Sequence, residues 1–477
     1  MRLSPRPKTI RFLLLLGASL VLCIGCRTNP VTGRKQLIIH STEQELSLGE
    51  EYHPNLLYMY DGHYQDEQLV DYLEAIVRRI DGVSHRKEVQ NQFTLLNTSI
   101  HNAFAIPGRV YATRGFVAEL ENEAQFAAVM AHEIAHVTSL HTARQMTTSM
   151  LTALGLGVAG QMAGNTSAAQ GVLLAGQAGV TLLGLSYSRE QERQADRVGT
   201  YYMAVAGWDP REAIGMQKLL HSLNERETTF VDKYLSTHPP AEDRIGEVRA
   251  LIEEKNLIDG GYIQGDGIFE ERWTEHLREL REVNKAYEPY DKGQEHLSEE
   301  RYEKALAAAE RALSERQDQA PFHRLKGDAL LGLDRIDEAE PMYRQALEVD
   351  NSYVPANLGL GRVALRQDRY EKAEKHFTIT TREFPANLMG HYGLGVARFY
   401  LNKYSKAIAP LNQVTESARD EPEPHYYLAV CYQKTDRPRR ALRHYRAALE
   451  TGLDGERAAD ARRRSREIES QMDTDDR

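Results

Sequence analysis

Val129-Met130-Ala131-His132-Glu133-Ile134-Ala135-His136-Val137 sets three ionisable side chains into an otherwise apolar helical pattern. A spacing of four puts the imidazoles of His132 and His136 on one helical face, one turn apart. That arrangement suits two corners of a zinc tetrahedron. Glu133 lies beside them, where a carboxylate can take the proton of water activated by the metal. Ionisable groups on a buried helix are costly unless paired or metal-bound, so the apolar flanks strengthen the reading. His141, one further turn on, reads as a supporting or surface residue rather than a ligand.

Zinc at such a site takes a third protein ligand and keeps one position open. The candidate is Glu192 in Ser188-Arg189-Glu190-Gln191-Glu192-Arg193-Gln194-Ala195-Asp196. Glu192 and Asp196 are four apart and share a helical face. Asp196 either hydrogen-bonds His132 or His136 and fixes its tautomer, or donates a proton in the reaction. The apolar run Tyr201-Tyr202-Met203-Ala204-Val205 argues that this helix is buried rather than a solvated charged face.

Around these two helices the pattern predicts a mainly α chain with a small sheet. A helix starts at Ser41, where Ser41 and Gln44 are spaced as a capping box. A second runs over 68–80. Strands follow at 93–96 and 103–106, and Pro107-Gly108 turns the chain into a third at 110–113. One long helix is expected over 122–145 and another over 187–207, with further helices to about residue 256. The segment 145–188 has no charged residue. It reads either as a membrane hairpin or as a buried helix pair or lid, and its glutamines and Asn165 favour the second.

Beyond the Gly-rich residues 259–267 the chain repeats. Gly293, Gly327, Gly361, Gly395 and Ala429 recur every 34 residues, and so do Ala305, Ala339, Ala373, Ala407 and Ala441, which is the tetratricopeptide period. Small residues in fixed register let the two helices of each unit approach, and each pair buries its apolar face on the next. Tyr392, Tyr400, Tyr426 and Tyr427 are placed either for packing between repeats or for a concave binding surface. Cys431 reads as a small buried residue of the last repeat, and a polar helix over 457–470 as a cap.

The bulk composition fits this division. A chain of 477 residues, 41% hydrophobic and 27% charged, holds two or three globular units. A net charge of −10 argues against nucleic acid as a partner. Three cysteines, Cys23, Cys26 and Cys431, exclude a disulfide framework. The basic residues Arg2, Arg6, Lys8 and Arg11 precede an apolar run over 12–24 that is short for a membrane span, as in a signal peptide. Gly25-Cys26 resembles the bacterial lipoprotein box, which implies diacylation of Cys26. An ordinary signal peptide or an uncleaved anchor is the alternative. Arg27 after the cysteine favours, by the same resemblance, the inner leaflet of the outer membrane.

Taken together, the motifs resemble zinc metallopeptidases of the CAAX-prenyl-protease type, which are gluzincins. More narrowly they resemble the periplasmic, tetratricopeptide-bearing branch of beta-barrel assembly-enhancing proteases. The matching pieces are Cys26 to Gly33, Asn102-Ala103-Phe104-Ala105-Ile106-Pro107-Gly108, His132 to His136, Ser188 to Asp196, and Thr237-His238-Pro239-Pro240 followed by Arg244. Arg109 departs from the pattern, since the family commonly has a second Gly there. The resemblance implies one zinc per chain on His132, His136 and Glu192, with Glu133 as acid/base and Asp196 as proton donor or supporting acid. His238 either stabilises the oxyanion or occupies the fourth metal position and holds the enzyme latent. Arg244 neutralises developing charge or pairs with Asp196.

The same resemblance implies that Asn102, Ala103, Phe104 and Ala105 lie on an edge strand that binds extended substrate through its backbone. The implied substrates are unfolded or misassembled envelope proteins, and the implied partners are assembly machinery reached through the repeats and a membrane reached through the lipid anchor. A mostly latent peptidase acting as a chaperone or scaffold is the rival reading. The expected segments are a signal peptide over 1–25, an extended linker over 26–40, and a zincin-type α+β peptidase domain over 41–257. A linker and helix over 258–285 follow, then an α-solenoid of five repeats over 286–455 and a capping helix and tail over 456–477.

Overall fold

The computed structural model describes residues 26–162, 187–225, 234, 237–238 and 242–475. The expected signal peptide, the larger part of the uncharged segment 145–188, and Pro239-Pro240 lie outside the described residues. Among the described residues no helix is long and apolar enough to cross a membrane. The chain divides into two compact units, Met1–Asn284 and Lys285–Arg477.

The first unit opens with two short antiparallel strands, β1 (Cys26–Thr28) and β2 (Lys35–Leu37), with Cys26 opposite Leu37. Helices α1 (Thr42–Met59) and α2 (Glu67–Asp81) follow. Both begin where a side chain can take an otherwise unpaired amide. Ser41 and Gln44 make the reciprocal capping box, and Asp66 accepts from Leu69 N. The sheet comprises β3 (Gln92–Leu96), β4 (Ala103–Ile106) and β5 (Arg109–Thr113) in the order β3-β5-β4. β5 is central, parallel to β3 and antiparallel to β4, with Phe104 opposite Tyr111. Gly108 takes a left-handed φ of 84° in the tight turn between β4 and β5. Arg109 pairs with Glu50 at 2.8 Å as β5 begins.

The helices that follow are α3 (Arg114–Glu119), α4 (Glu123–Thr138), α5 (His141–Met162), α6 (Arg189–Val205), α7 (Glu212–Glu225) and α8 (Glu242–Glu254). Asn122 caps α4, and Ser188 with Gln191 forms a second capping box on α6.

Two expectations change. The single helix expected over 122–145 is two, because Leu140 adopts a left-handed φ of 59°. Leu140 is buried with Ile38 and Ala143, and Asn29 Nδ2 donates to Ser139 O at 2.7 Å, so tertiary contacts hold the break. The extended linker over 26–40 is a hairpin, closed by Asn29 Oδ1, which accepts from Val31 N at 2.9 Å and Thr32 N at 3.0 Å. Residues 258–285, expected as a linker and a helix, do enter a helix at Glu270, and up to Asn284 they pack within the first unit. Trp273 is fully buried and donates to Leu120 O at 2.8 Å, while Arg272 pairs with Glu123 at 2.5 Å.

Helix α9 (Glu270–Ser298) begins in the first unit and ends in the second. The second unit continues as α10 (Tyr302–Glu315), α11 (Ala320–Gly332), α12 (Ile336–Val349), α13 (Val354–Arg366) and α14 (Tyr370–Glu383). It ends with α15 (Leu388–Tyr400), α16 (Tyr404–Ser417), α17 (Pro422–Lys434), α18 (Pro438–Glu450) and the capping helix α19 (Gly455–Asp475).

The small-residue register is used as expected, and all five repeat alanines are fully buried. A side chain at Gly361 would meet the Phe377 ring at 2.7 Å, and one at Gly395 would meet Leu411 at 2.5 Å. A third register was not read from the sequence. Glu300, Asp334, Asp368, Asn402 and Asp436 all take a left-handed φ between 54° and 59° where one helix hands over to the next. Asp and Asn tolerate that conformation best after glycine. Cys431 is buried in the last repeat, Tyr427 is buried with it, and Tyr392 and Tyr426 pack partly buried against the same cluster. Tyr400 is 42% exposed. Replacing Gly361 by Val should drive a methyl into the Phe377 ring and destabilise the repeats by about 1–3 kcal/mol. A lowered urea midpoint by circular dichroism checks this.

Candidate metal centre

Helices α4 and α6 cross at Gly199. A Cβ there would stand 2.8 Å from His132 N and 2.9 Å from Ala131 C and His132 Cα, so only glycine permits this approach. Glu192, Asp196 and Gly199 follow one another at intervals of about one turn and share a face of α6. The bare backbone at Gly199 therefore presses both carboxylates towards the imidazoles of α4.

His132, His136, Glu192 and His238 offer ligand atoms that all lie within 4.8 Å of one another, and all four are buried. His132 Nε2 is 3.1 Å from His136 Nε2 and 3.3 Å from His238 Nδ1. Glu192 Oε1 is 3.0 Å from His238 Nδ1 and 3.3 Å from His136 Nε2, and Oε2 is 3.5 Å from His132 Nε2.

Protons on the rings do not satisfy such a set. Each imidazole nitrogen holds either one hydrogen or one lone pair, and here three nitrogens face one another as well as a carboxylate. A shared cation is the arrangement that satisfies all of them, and nitrogen with carboxylate oxygen in about fourfold array suits zinc. Glu133 Oε1 is buried and makes no hydrogen bond among the described residues. His238 Nε2 is 3.5 Å from it.

The ligands are held from behind. His132 Nδ1 lies 3.0 Å from Asp196 Oδ1, a carboxylate that favours a proton on that nitrogen, with Nε2 towards the centre. Arg244 grips Asp196 through Nε at 2.6 Å, and its NH2 reaches Glu192 Oε2 at 3.0 Å. His141 Nε2 lies 3.1 Å from Gln194 Oε1, an acceptor, so His141 donates there. Its Nδ1 is then free to accept from His136 Nδ1 at 3.0 Å, and the lone pair of His136 Nε2 also faces inward. Tyr187 stacks on His136 with centroids 3.8 Å apart, and Tyr234 on His238 at 4.6 Å.

Burial raises Glu133 above the ordinary carboxylate range. Burial would do the same to Asp196, but hydrogen bonds from Arg244 and His132 hold it below. Burial also works against a charged His132, yet Asp196 and Glu192 push it up to about 10. The surroundings thus favour positive charge at this point of the fold, a demand that a divalent ion meets.

Sequence reasoning named His132, Glu133, His136, Glu192, Asp196, His238 and Arg244, and the fold gathers all seven. Asp196 lies beside His132 Nδ1 rather than His136, and Arg244 pairs with Asp196. Strand β4 is a sheet edge, as expected for residues 103–105, and no other strand pairs with it among the described residues. Asn102 precedes it, buried, with Nδ2 donating to Tyr60 Oη at 3.2 Å. Cys26 is exposed at the start of β1. Gly199, Tyr187, Tyr234 and Gln194 were missed. Only Gly199 left a trace, as a glycine one turn after Asp196 inside a helix, where it costs about 1 kcal/mol unless close packing requires it.

The family model for peptidase family M48 matches residues 66–252. The chain carries an M48 peptidase domain. Tetratricopeptide repeat models match 290–355, 324–387 and 358–424. The "Beta-barrel assembly-enhancing protease" of Escherichia coli (strain K12) is 32% identical over 223 residues, covering 44% of this chain and 44% of that protein. The match thus spans less than half of that relative's length. The "Mitochondrial metalloendopeptidase OMA1" of Schizosaccharomyces pombe is 23% identical over 53% of this chain and 75% of its own. Among solved structures, the TPR protein YrrB matches at 19% identity with a TM-score of 0.33, over 40% of this chain and 97% of its own.

Within the M48 domain the helix crossing is the point to test. Gly199→Ala should force α6 away from His132 and lower zinc affinity tenfold or more, while the far-ultraviolet circular dichroism stays unchanged. Competition against a chromophoric chelator measures it.

Proposed function

We propose that this chain is a zinc metalloendopeptidase that cleaves unfolded or misassembled proteins of the bacterial envelope. The observation that carries the proposal is the buried convergence of His132, His136 and Glu192, with Glu133 Oε1 buried and without a hydrogen bond on the same helix as the two histidines. A zinc ion held by these three residues would polarise the scissile carbonyl and make water a nucleophile at neutral pH. Glu133 Oε1 accepts the proton of the attacking water and delivers it to the leaving amine. Asp196 keeps the His132 tautomer, and Arg244 holds Asp196 and Glu192 in place. The outer edge of β4, with Asn102 to Ala105, receives substrate as an added extended strand. Backbone pairing reads little sequence, which suits an enzyme acting on non-native chains.

The surrounding assignments belong to the same proposal. Cys26 carries a lipid that anchors the protein to the inner leaflet of the outer membrane, facing the periplasm. The repeats bind clients or assembly partners. The relatives named beta-barrel assembly-enhancing proteases support this setting, as does the solenoid of helix pairs.

A second reading is favoured by His238. Its Nδ1 stands 3.0 Å from Glu192 Oε1 and 3.3 Å from His132 Nε2, at the distance of a fourth ligand rather than of a residue waiting for an oxyanion. The peptidase is then latent for much of its time, and the protein acts meanwhile as a chaperone or scaffold through its repeats.

Glu133→Gln should lower proteolysis of unfolded casein by a factor of about 10²–10⁴. About one zinc per chain should stay bound by elemental analysis, and unchanged cleavage would refute the role of Glu133. His238→Ala should raise basal casein cleavage several-fold at unchanged zinc content. A drop in rate instead would assign His238 to the oxyanion.

A further inference from the structure

We propose that the N-terminal hairpin, through Asn29, positions a metal ligand more than a hundred residues away. The inference rests on the reading of His136 as a ligand. On an unbroken helix, residues five apart lie about 140° apart around the axis, so the rings of His136 and His141 would diverge. They meet at 3.0 Å because the helix breaks at Ser139 and Leu140. What holds the break is the hairpin.

Asn29 is fully buried. Its Oδ1 closes the turn onto Val31 N and Thr32 N, which leaves Nδ2 to donate to Ser139 O at 2.7 Å. That carbonyl lies at the C-terminal end of α4, where helix geometry supplies no partner. Leu140, in the left-handed conformation a leucine disfavours, is pinned against Ile38 just after β2. Ile39 N donates to Thr147 Oγ1 at 3.3 Å on the far side of the break. Arg86 NH1 donates to Val137 O at 3.2 Å, and its NH2 pairs with buried Glu45 at 2.7 Å, the carboxylate that Arg27 of β1 also grips. Residues of the hairpin and its immediate continuation thus hold both sides of the break. The break turns His141 onto His136 Nδ1, and that contact leaves His136 Nε2 to face the centre. Asn29 is a positioning residue for His136, acting through His141.

Asn29→Asp isolates the contact. It keeps the oxygen that closes the turn, removes the Nδ2 donor, and sets a carboxylate against the Ser139 carbonyl. Zinc affinity of the full chain, measured by chelator competition, should fall about 10–100-fold, the range for loss of a group that orients a ligand. Hydrogen exchange at residues 137–143 should quicken. His141→Ala should cost a similar factor, and the double variant little more, because the two substitutions break one chain of contacts. Thr147→Val, which removes only the acceptor for Ile39 N, should give a milder loss of a few fold and covers the case of a poorly folded Asn29→Asp. Zinc affinity within twofold of the parent in both variants, or independent multiplication of the two losses in the double variant, overturns the proposal. A parent protein that binds no zinc overturns the ligand assignment instead.

Discussion

Three carboxylates, those of Glu133, Glu192 and Asp196, are buried in the first unit, and one guanidinium, that of Arg244, pairs with the last two. With neutral imidazoles the pocket would hold a charge of about −2, and isolated buried charge is among the most costly features a fold can carry. A divalent cation cancels it. Much else in the first unit follows from this constraint. The rings of His132 and His136 are oriented from behind so that lone pairs face inward, while Tyr187 covers His136 and Tyr234 covers His238 with apolar surface. The capping of α4 by Asn122 and of α6 by Ser188 sets where each helix begins. Ligand and supporting residue then fall on the faces that meet.

What the sequence made legible was local and periodic. His132 and His136, and then Glu192 and Asp196, could be placed because helical spacing dictates which side chains share a face. The capping signatures at Ser41 and Ser188 are equally local, as is the Pro107-Gly108 turn. The repeats were legible because the same packing problem is solved five times with the same small residues. A mainly α chain with a small sheet followed by a tetratricopeptide solenoid is the fold observed. What escaped was tertiary. No pattern near Leu140 announces a break, since the forces that hold it come from Asn29, Ile38 and Arg86. The hairpin over 26–40 looked like a linker because its strands are too short to show alternation.

The second unit shows how periodicity reaches beyond the core. Glycine and alanine decide how closely the helices of each pair approach, while Asp, Asn or Glu in the left-handed conformation decides where each first helix stops. The two registers do different work, and the polar one is easy to overlook because acidic residues at a solvated turn are commonplace.

The contact at Gly199 places main chain directly on main chain. No side-chain rotamer sits between α4 and α6 at that point, so no repacking of neighbouring leucines or valines can shim the two helices apart by a fraction of an ångström. The separation of the ligands is thereby insulated from drift in the surrounding apolar residues. Sequence change elsewhere in the domain can then reshape the substrate-facing surface while leaving the coordination geometry untouched.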